Sequence, residues 1–157
     1  MSTINTIRVK VLVLGYSHSG KTTLISFLKD IVRHQPERFP NTVFRFLDSP
    51  CLSSLSNKFP RKRNYAAIVL VVDTTDILRK QTLIEKLPFL SSLDMPCVIA
   101  LSKTDVSKVD KSFLPSSCGL PVLVLNSKNQ QTILLETVLE TVQSSRCPSP
   151  GCHCVVL

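Results

Sequence analysis

The chain has no apolar run approaching the roughly 20 residues that a membrane-spanning helix needs, so no segment of it is expected to cross a bilayer. Its first residues, MSTINTIRVK, lack the charged start, apolar stretch and small-residue cleavage site of a secretory leader. The 6 cysteines are therefore expected as reduced thiols in a cytosolic setting. Internal repeats are absent. So is any nucleic-acid module signature, and the aromatic residues, 6% of the chain, do not interleave with its cations; no nucleic-acid partner is expected. What remains is 157 residues with 43% hydrophobic content, enough for one globular domain with a real core. A net charge of +8 favours acidic partners without choosing among them.

Three inner runs are apolar and rich in β-branched residues: Val9–Leu14, Ala67–Asp73 and Cys97–Ser102. Val122–Leu125 is a fourth and Val43–Leu47 a weaker fifth. Near-continuous apolar strands suit a parallel sheet covered on both faces. Helical spacing lies between them. Thr22–His34 sets Leu24, Phe27, Leu28 and Ile31 on one side, and Asp76–Leu87 is expected to end or kink at Pro88. Gln130–Val142 repeats Leu134, Leu135, Val138, Leu139 and Val142. The alternation predicts an α/β domain over residues 1–143, a mostly parallel sheet of about five strands with helices on both faces. Residues 144–157, SSRCPSPGCHCVVL, have turn-forming residues and no periodicity, and are expected to form a flexible tail.

Between the first strand and the first helix stands GYSHSGKTT. Gly15 to Thr22 fit G-x-x-x-x-G-K-[ST] at every fixed position, in the strand–loop–helix setting that the pattern requires. Backbone N–H groups from Ser17, His18, Ser19, Gly20 and Thr23 would wrap phosphate, aided by the helix dipole. Lys21 would bring a cation to the outer phosphates, and the Thr22 hydroxyl would ligate Mg²⁺. Gly15 and Gly20 let the backbone bend and approach closely. His18 either touches phosphate or is simply solvated.

Two more loops are expected at the same sheet edge, because ligands of open α/β sheets bind at the carboxyl ends of strands. One is Ser102-Lys103-Thr104-Asp105, the other Asn126-Ser127-Lys128. A carboxylate at Asp105 can accept two hydrogen bonds from guanine, whereas adenine presents an acceptor and leaves it unpaired. The Lys103 methylenes can lie along a flat base.

Together these stretches resemble the small GTPases of the Ras-like superfamily, over nearly the whole chain. GYSHSGKT matches that family's phosphate loop. SKTD resembles its guanine motif NKxD, with Ser102 in place of Asn, and NSK resembles the SAK loop. AAIVLVVDTTD resembles the strand before its third helix, and the final Cys154-Val155-Val156-Leu157 resembles a prenylation box. The resemblance implies a GTP/GDP and Mg²⁺ cofactor set. It assigns phosphate contacts to the loop, guanine contacts to Ser102, Lys103, Asp105, Ser127 and Lys128, and metal contacts to Thr22 and Asp48.

The chain departs from that pattern around the metal. The family's DxxG motif is matched by Asp48-Ser49-Pro50-Cys51, in which Cys51 replaces Gly and Pro50 stiffens the approach. Leu52 falls where the family orients the attacking water and offers no hydrogen bond, so hydrolysis is expected to be slow. Past His34, the interval QPERFPNTVFRFLD supplies only a short loop and one strand. The family's second strand and first switch are expected to be missing, with Thr42 inside the strand instead of sensing phosphate.

Lys58, Arg61, Lys62 and Arg63 form a basic run, either a solvated loop or a phosphoinositide, membrane or partner patch. The tail fits C-a-a-X with Cys154 as acceptor, and terminal Leu157 favours a geranylgeranyl group. One lipid holds a membrane marginally, so palmitoylation is expected at Cys152, less so at Cys147. Zinc on Cys147, Cys152, His153 and Cys154 is the rival reading, against which their spacing argues. The implied protein is a slow, membrane-anchored GTP-binding protein of signalling or trafficking. It would sit at the cytoplasmic face of a membrane with a cytosolic pool, with unnamed effectors. The alternatives are a pseudo-GTPase scaffold and a P-loop kinase or ATPase, the last disfavoured by SKTD.

Overall fold

The structure is a computed structural model and describes residues 4–48, 65–93, 95–107, 111–115, 119–125 and 128–145. Five strands form one sheet: β1 (Ile7–Leu14), β2 (Thr42–Asp48), β3 (Ala67–Asp73), β4 (Cys97–Ser102) and β5 (Val122–Val124). Their spatial order is β2-β1-β3-β4-β5 and every pair is parallel. The helices are α1 (Lys21–His34), α2 (Ile77–Ser91), the single turn α3 (Thr104–Ser107) and α4 (Lys128–Ser145).

Period-two alternation along the strands builds two apolar layers. Val9, Val11 and Val13 of β1 join Val69, Val71, Val98 and Ala100 beneath α1 and α4. Leu12 and Leu14 join Ile68, Leu70, Ile99 and Leu101 beneath α2. Small and β-branched side chains thus dominate the face that carries two helices, and Leu and Ile the face that carries one. α1 buries Leu24, Ile25, Leu28 and Ile31. Phe27, expected on that inner face, is 43% exposed; Ile25 takes the inward position, because the helix meets the sheet on a stripe rotated by part of a turn. Leu139, expected with the inner face of α4, is only partly buried.

α2 does not stop at Pro88 but continues to Ser91. Pro88 removes one N–H near the helix end, where few bonds remain to lose. Leu83 and Leu87 before it and Leu90 after it, all buried, hold the last turn on the sheet. Between α1 and β2 lies only a 3-10 turn, Pro36–Arg38, and a tight bend to Asn41. No antiparallel strand occurs among the described residues, so the interval has the brevity that its sequence implies. Thr42 begins β2, and its hydroxyl donates to Pro40 O at 3.2 Å, at the far end of that strand from Asp48.

The chain steps from β1 to one neighbour, β2, and then across to the other, β3. The strand order therefore reverses at β1, and the crevice outside the carboxyl ends of β1 and β3 is where such a sheet receives a ligand.

Candidate functional site

The loop that leaves β1 occupies that crevice. Gly15 is buried, and a Cβ there would lie 2.6 Å from Ser19 Oγ and 2.7 Å from the Val71 carbonyl oxygen, so only glycine fits. His18 and Gly20 have positive φ, 61° and 93°, and turn the backbone into α1. The Ser19 N–H closes the turn on Tyr16 O at 3.2 Å. Gly20 caps α1 without any side-chain hydrogen bond, so the helix's first N–H groups keep no side-chain acceptor and face the loop.

Lys21 Nζ donates to the carbonyl oxygens of Gly15 and Tyr16, both at 3.1 Å, which parks the ammonium over its own loop. Thr22 and Asp48 meet: Thr22 Oγ1 donates to Asp48 Oδ2 at 2.7 Å. Ser17, His18 and Thr23 are exposed around the loop. Ser19 is different. Its side chain is buried and its Oγ has no hydrogen-bond partner among the described residues, so it forms the floor of the loop and its backbone carbonyl makes the outward contact.

The loop after β4 is stitched to the first one. Ser102 Oγ lies 2.8 Å from Ser19 O and 3.1 Å from Val72 O, one proton serving both in a three-centre bond. Lys103, at φ 56°, donates from Nζ to His18 O at 2.9 Å and to Asp73 Oδ2 at 2.6 Å. Asp73 also accepts from Thr75, through Oγ1 at 2.6 Å and N–H at 2.9 Å. Burial pushes the Asp73 carboxyl up, but the bonds from Lys103 and Thr75 and the Lys103 charge outweigh it and hold the group below its ordinary range. Asp105 lies exposed in α3, two residues beyond Lys103. Thr104 is buried beneath it and reaches toward Leu125 O at 3.5 Å, tying the β4 loop to the end of β5. Lys128 opens α4.

Eight of the sequence-predicted positions are therefore joined by contacts at one edge: Lys21 with the carbonyl of Gly15, Thr22 with Asp48, and Ser102 and Lys103 with the carbonyls of Ser19 and His18. Ser127 lies outside the described residues. So do Cys51 and Leu52, the basic run Lys58–Arg63, Cys147, Cys152, His153 and Cys154. Among the described residues no group of three or more His, Cys, Asp or Glu could hold a metal ion, and no helix is long and apolar enough to cross a membrane.

Two contributors were not singled out by sequence reasoning. Asp73 ends β3 at the ligand edge, and an acid closing an otherwise apolar strand was the available signal. Tyr16 packs under α2, its ring 5.1 Å from the Arg79 guanidinium and 5.6 Å from Lys86 Nζ, and no spacing in the sequence announces that contact.

The sheet order and the loop define a P-loop nucleotide-binding fold of the G-domain type. Comparison with solved structures supports this. The cytosolic domain of the T. maritima FeoB iron transporter, in apo form, superposes with a TM-score of 0.63 at 19% identity, over 87% of this chain and 64% of that one. Translation elongation factor SelB from Methanococcus maripaludis, in apo form, gives 0.58 at 15% identity over 88% of this chain and 34% of that one. The same factor with the GTP analogue GppNHp gives 0.58 at 16% identity. Among curated proteins, the chloroplastic translation initiation factor IF-2 of Porphyra purpurea is 26% identical over 82% of this chain. The chain spans 20% of that factor's length. No family model matches the chain.

Proposed function

We propose that this chain binds a guanine nucleotide with Mg²⁺ and holds it far longer than it cleaves it. One observation carries the reading. The phosphate loop, the Thr22–Asp48 pair and the Ser102–Lys103 segment are bonded into one edge of the sheet. An accidental G-x-x-x-x-G-K-T would have no reason to be tied to a base-reading loop. The likeness in fold to SelB, solved with a GTP analogue, adds support.

The residues at this edge fit a nucleotide and Mg²⁺. The Lys21 ammonium, held at 3.1 Å by two carbonyls, can exchange those acceptors for phosphate oxygens. The hydroxyl of Thr22 and the carboxylate of Asp48 are hard oxygen donors side by side, the chemistry that Mg²⁺ selects. When bound, Mg²⁺ would offset phosphate charge. Asp105 would accept from the guanine N1–H and 2-amino groups, and Ser127 and Lys128 are proposed as further guanine contacts. Ser102 and Lys103 would hold the loop to the base site.

Hydrolysis requires a positioned water to attack the terminal phosphorus as the bond to the leaving diphosphate breaks. With Leu52 falling in sequence where the resembled family carries its water-orienting residue, and no strand between α1 and β2 among the described residues, turnover is slow. Cys154 carries a geranylgeranyl group that places the domain on a membrane, with Cys152 as a second lipid site. The alternative is a pseudo-GTPase scaffold, nucleotide-binding or nucleotide-free: the first form differs from this reading in turnover and in having no GTP-dependent partner, the second in binding no nucleotide at all.

The test is equilibrium binding of fluorescent GTP and GDP with Mg²⁺ to wild type and Lys21→Ala. Binding by wild type that is lost in a folded Lys21→Ala supports the site. Equal binding by both would refute it. A mass shift on Cys154, absent in Cys154→Ser expressed in eukaryotic cells, tests the lipid separately.

A further inference from the structure

The edge of the sheet opposite the phosphate loop carries a cluster that nucleotide binding does not use. In the parallel register Arg8 stands beside Val43, and Lys10 beside Arg45. Registered residues of neighbouring strands share a face. These four therefore share the face of Leu12 and Leu47, beyond the α2 layer that covers β3 and β4. Arg8 and Arg45 are exposed and Lys10 half-buried, its ammonium 5.6 Å from the centre of the Tyr65 ring. Tyr65 is fixed there because the next residue, Ala66, donates its N–H to Lys10 O at 2.8 Å.

None of the three cations forms an ion pair among the described residues, whereas Arg33, Arg38, Arg79 and Lys103 all do. The one acid on β1 or β2 is Asp48, at the far end and bonded to Thr22. Setting Lys10 beside Arg45 places like charges on adjacent strands, an arrangement that costs stability unless an anion is there to meet it. Exposed apolar side chains accompany the cations: Val43, registered with Arg8, is 53% exposed, and Ile4, four residues before Arg8 in the chain, is 70% exposed.

We propose that this face, formed by Arg8, Lys10, Arg45 and Val43, docks on an anionic lipid bilayer. The proposal deepens the membrane part of the proposed function and rests on it for the choice of a lipid partner. Cations mixed with exposed aliphatic side chains fit an interface that is anionic outside and apolar beneath. A nucleic acid would be met by cations and stacking rings, and the ring here, Tyr65, is only half exposed and lies against Lys10. Position agrees. α4 ends at Ser145, which borders the same groove as Met95 and Cys97 before and at the start of β4, so the tail leaves from this edge. The nine residues from Ser145 to Cys154 span up to about 30 Å when extended, enough to reach around the sheet. The patch thereby supplies the second attachment that a single lipid lacks, and the nucleotide edge points away from the bilayer.

The experiment uses the unmodified full chain, so it does not depend on lipidation. Protein is sedimented with vesicles of phosphatidylcholine alone and of phosphatidylcholine mixed with phosphatidylserine. Wild type should bind only the anionic vesicles and be released by salt. Each cation near such a surface is worth roughly a fivefold change in affinity. Arg45→Gln should weaken binding about fivefold, and Arg8→Gln/Lys10→Gln/Arg45→Gln on the order of a hundredfold, with melting no lower than in wild type because the like-charge repulsion is relieved. Cys154→Ser should bind as wild type. The proposal is overturned if anionic vesicles bind no better than neutral ones, or if the triple variant binds normally. It also fails if binding is lost only on neutralising Lys58, Arg61, Lys62 and Arg63, or if duplex RNA strips the protein from the vesicles.

Discussion

The contact between Lys103 and Asp73 joins the loop after β4 to the end of β3, and a double-mutant cycle measures it. Lys103→Met keeps the aliphatic stem but deletes the ammonium. It removes the 2.6 Å bond to Asp73 Oδ2 and the 2.9 Å bond to His18 O. The Asp73 side chain is only 14% exposed and is left with Thr75 as its donor among the bonds described. A charge-assisted bond of this kind contributes about 1.5–3 kcal/mol when screened little. The Lys103 side chain is 42% exposed, so solvent lowers the figure to about 1–2 kcal/mol. For a domain of this size that lowers Tm by roughly 2–8 °C. Asp73→Asn alone should cost about 1 kcal/mol, and the double variant should recover a coupling of about 1 kcal/mol.

The sign with pH follows from the Asp73 carboxyl, which is held below its ordinary value of 3.8 in the folded chain. The coupling is fully present above that value and is lost as pH falls through the lower, folded one. Urea titrations of the four proteins, repeated at neutral and acid pH, read all of this. A coupling under about 0.3 kcal/mol at neutral pH would refute the reasoning, as would one that grows on acidification.

Other outcomes follow from the same contacts. Gly15→Ala forces a methyl group against Val71 O and Ser19 Oγ, and should cost about 1–3 kcal/mol in thermal denaturation while also weakening nucleotide binding. Asp105→Asn should move base preference from guanine toward xanthine in competition binding, because the amide offers a donor to the 2-oxo group. Ser102→Ala unties the loop from β4 and should cost about 1 kcal/mol, with faster nucleotide release in a stopped-flow chase. Pro88→Ala restores an N–H inside α2 and should raise Tm by a few degrees, roughly the effect of 1 kcal/mol.

The parallel sheet was legible because its strands are apolar on both faces, and the loop because Gly15, Gly20, Lys21 and Thr22 each answer a separate physical demand. The Thr22–Asp48 pairing was legible too, since both residues were expected at one metal. Local periodicity was a poorer guide to orientation. It assigned Phe27 inward, but which stripe of an amphipathic helix meets the sheet is decided by the packing of α1 against β1, β2 and α4. Pro88 was expected to stop α2 on backbone grounds; burial of Leu90 overrode the local cost. The Asp73–Lys103 bond was invisible because it joins two strand ends whose adjacency depends on the β3–β4 register, which spacing does not fix. The Tyr16 contact failed to show for the same reason, its cations coming from a helix distant in sequence.

The most direct test of the central claim is competition at the loop. Fluorescent GDP bound to the wild-type chain with Mg²⁺ is challenged with unlabelled GTP, GDP and ATP. The account predicts displacement by GTP and GDP and none by ATP at matched concentration, because Asp105 finds donors only on guanine. Equal displacement by ATP would contradict base reading at Asp105, and a folded protein that binds none of the three would contradict the nucleotide site itself.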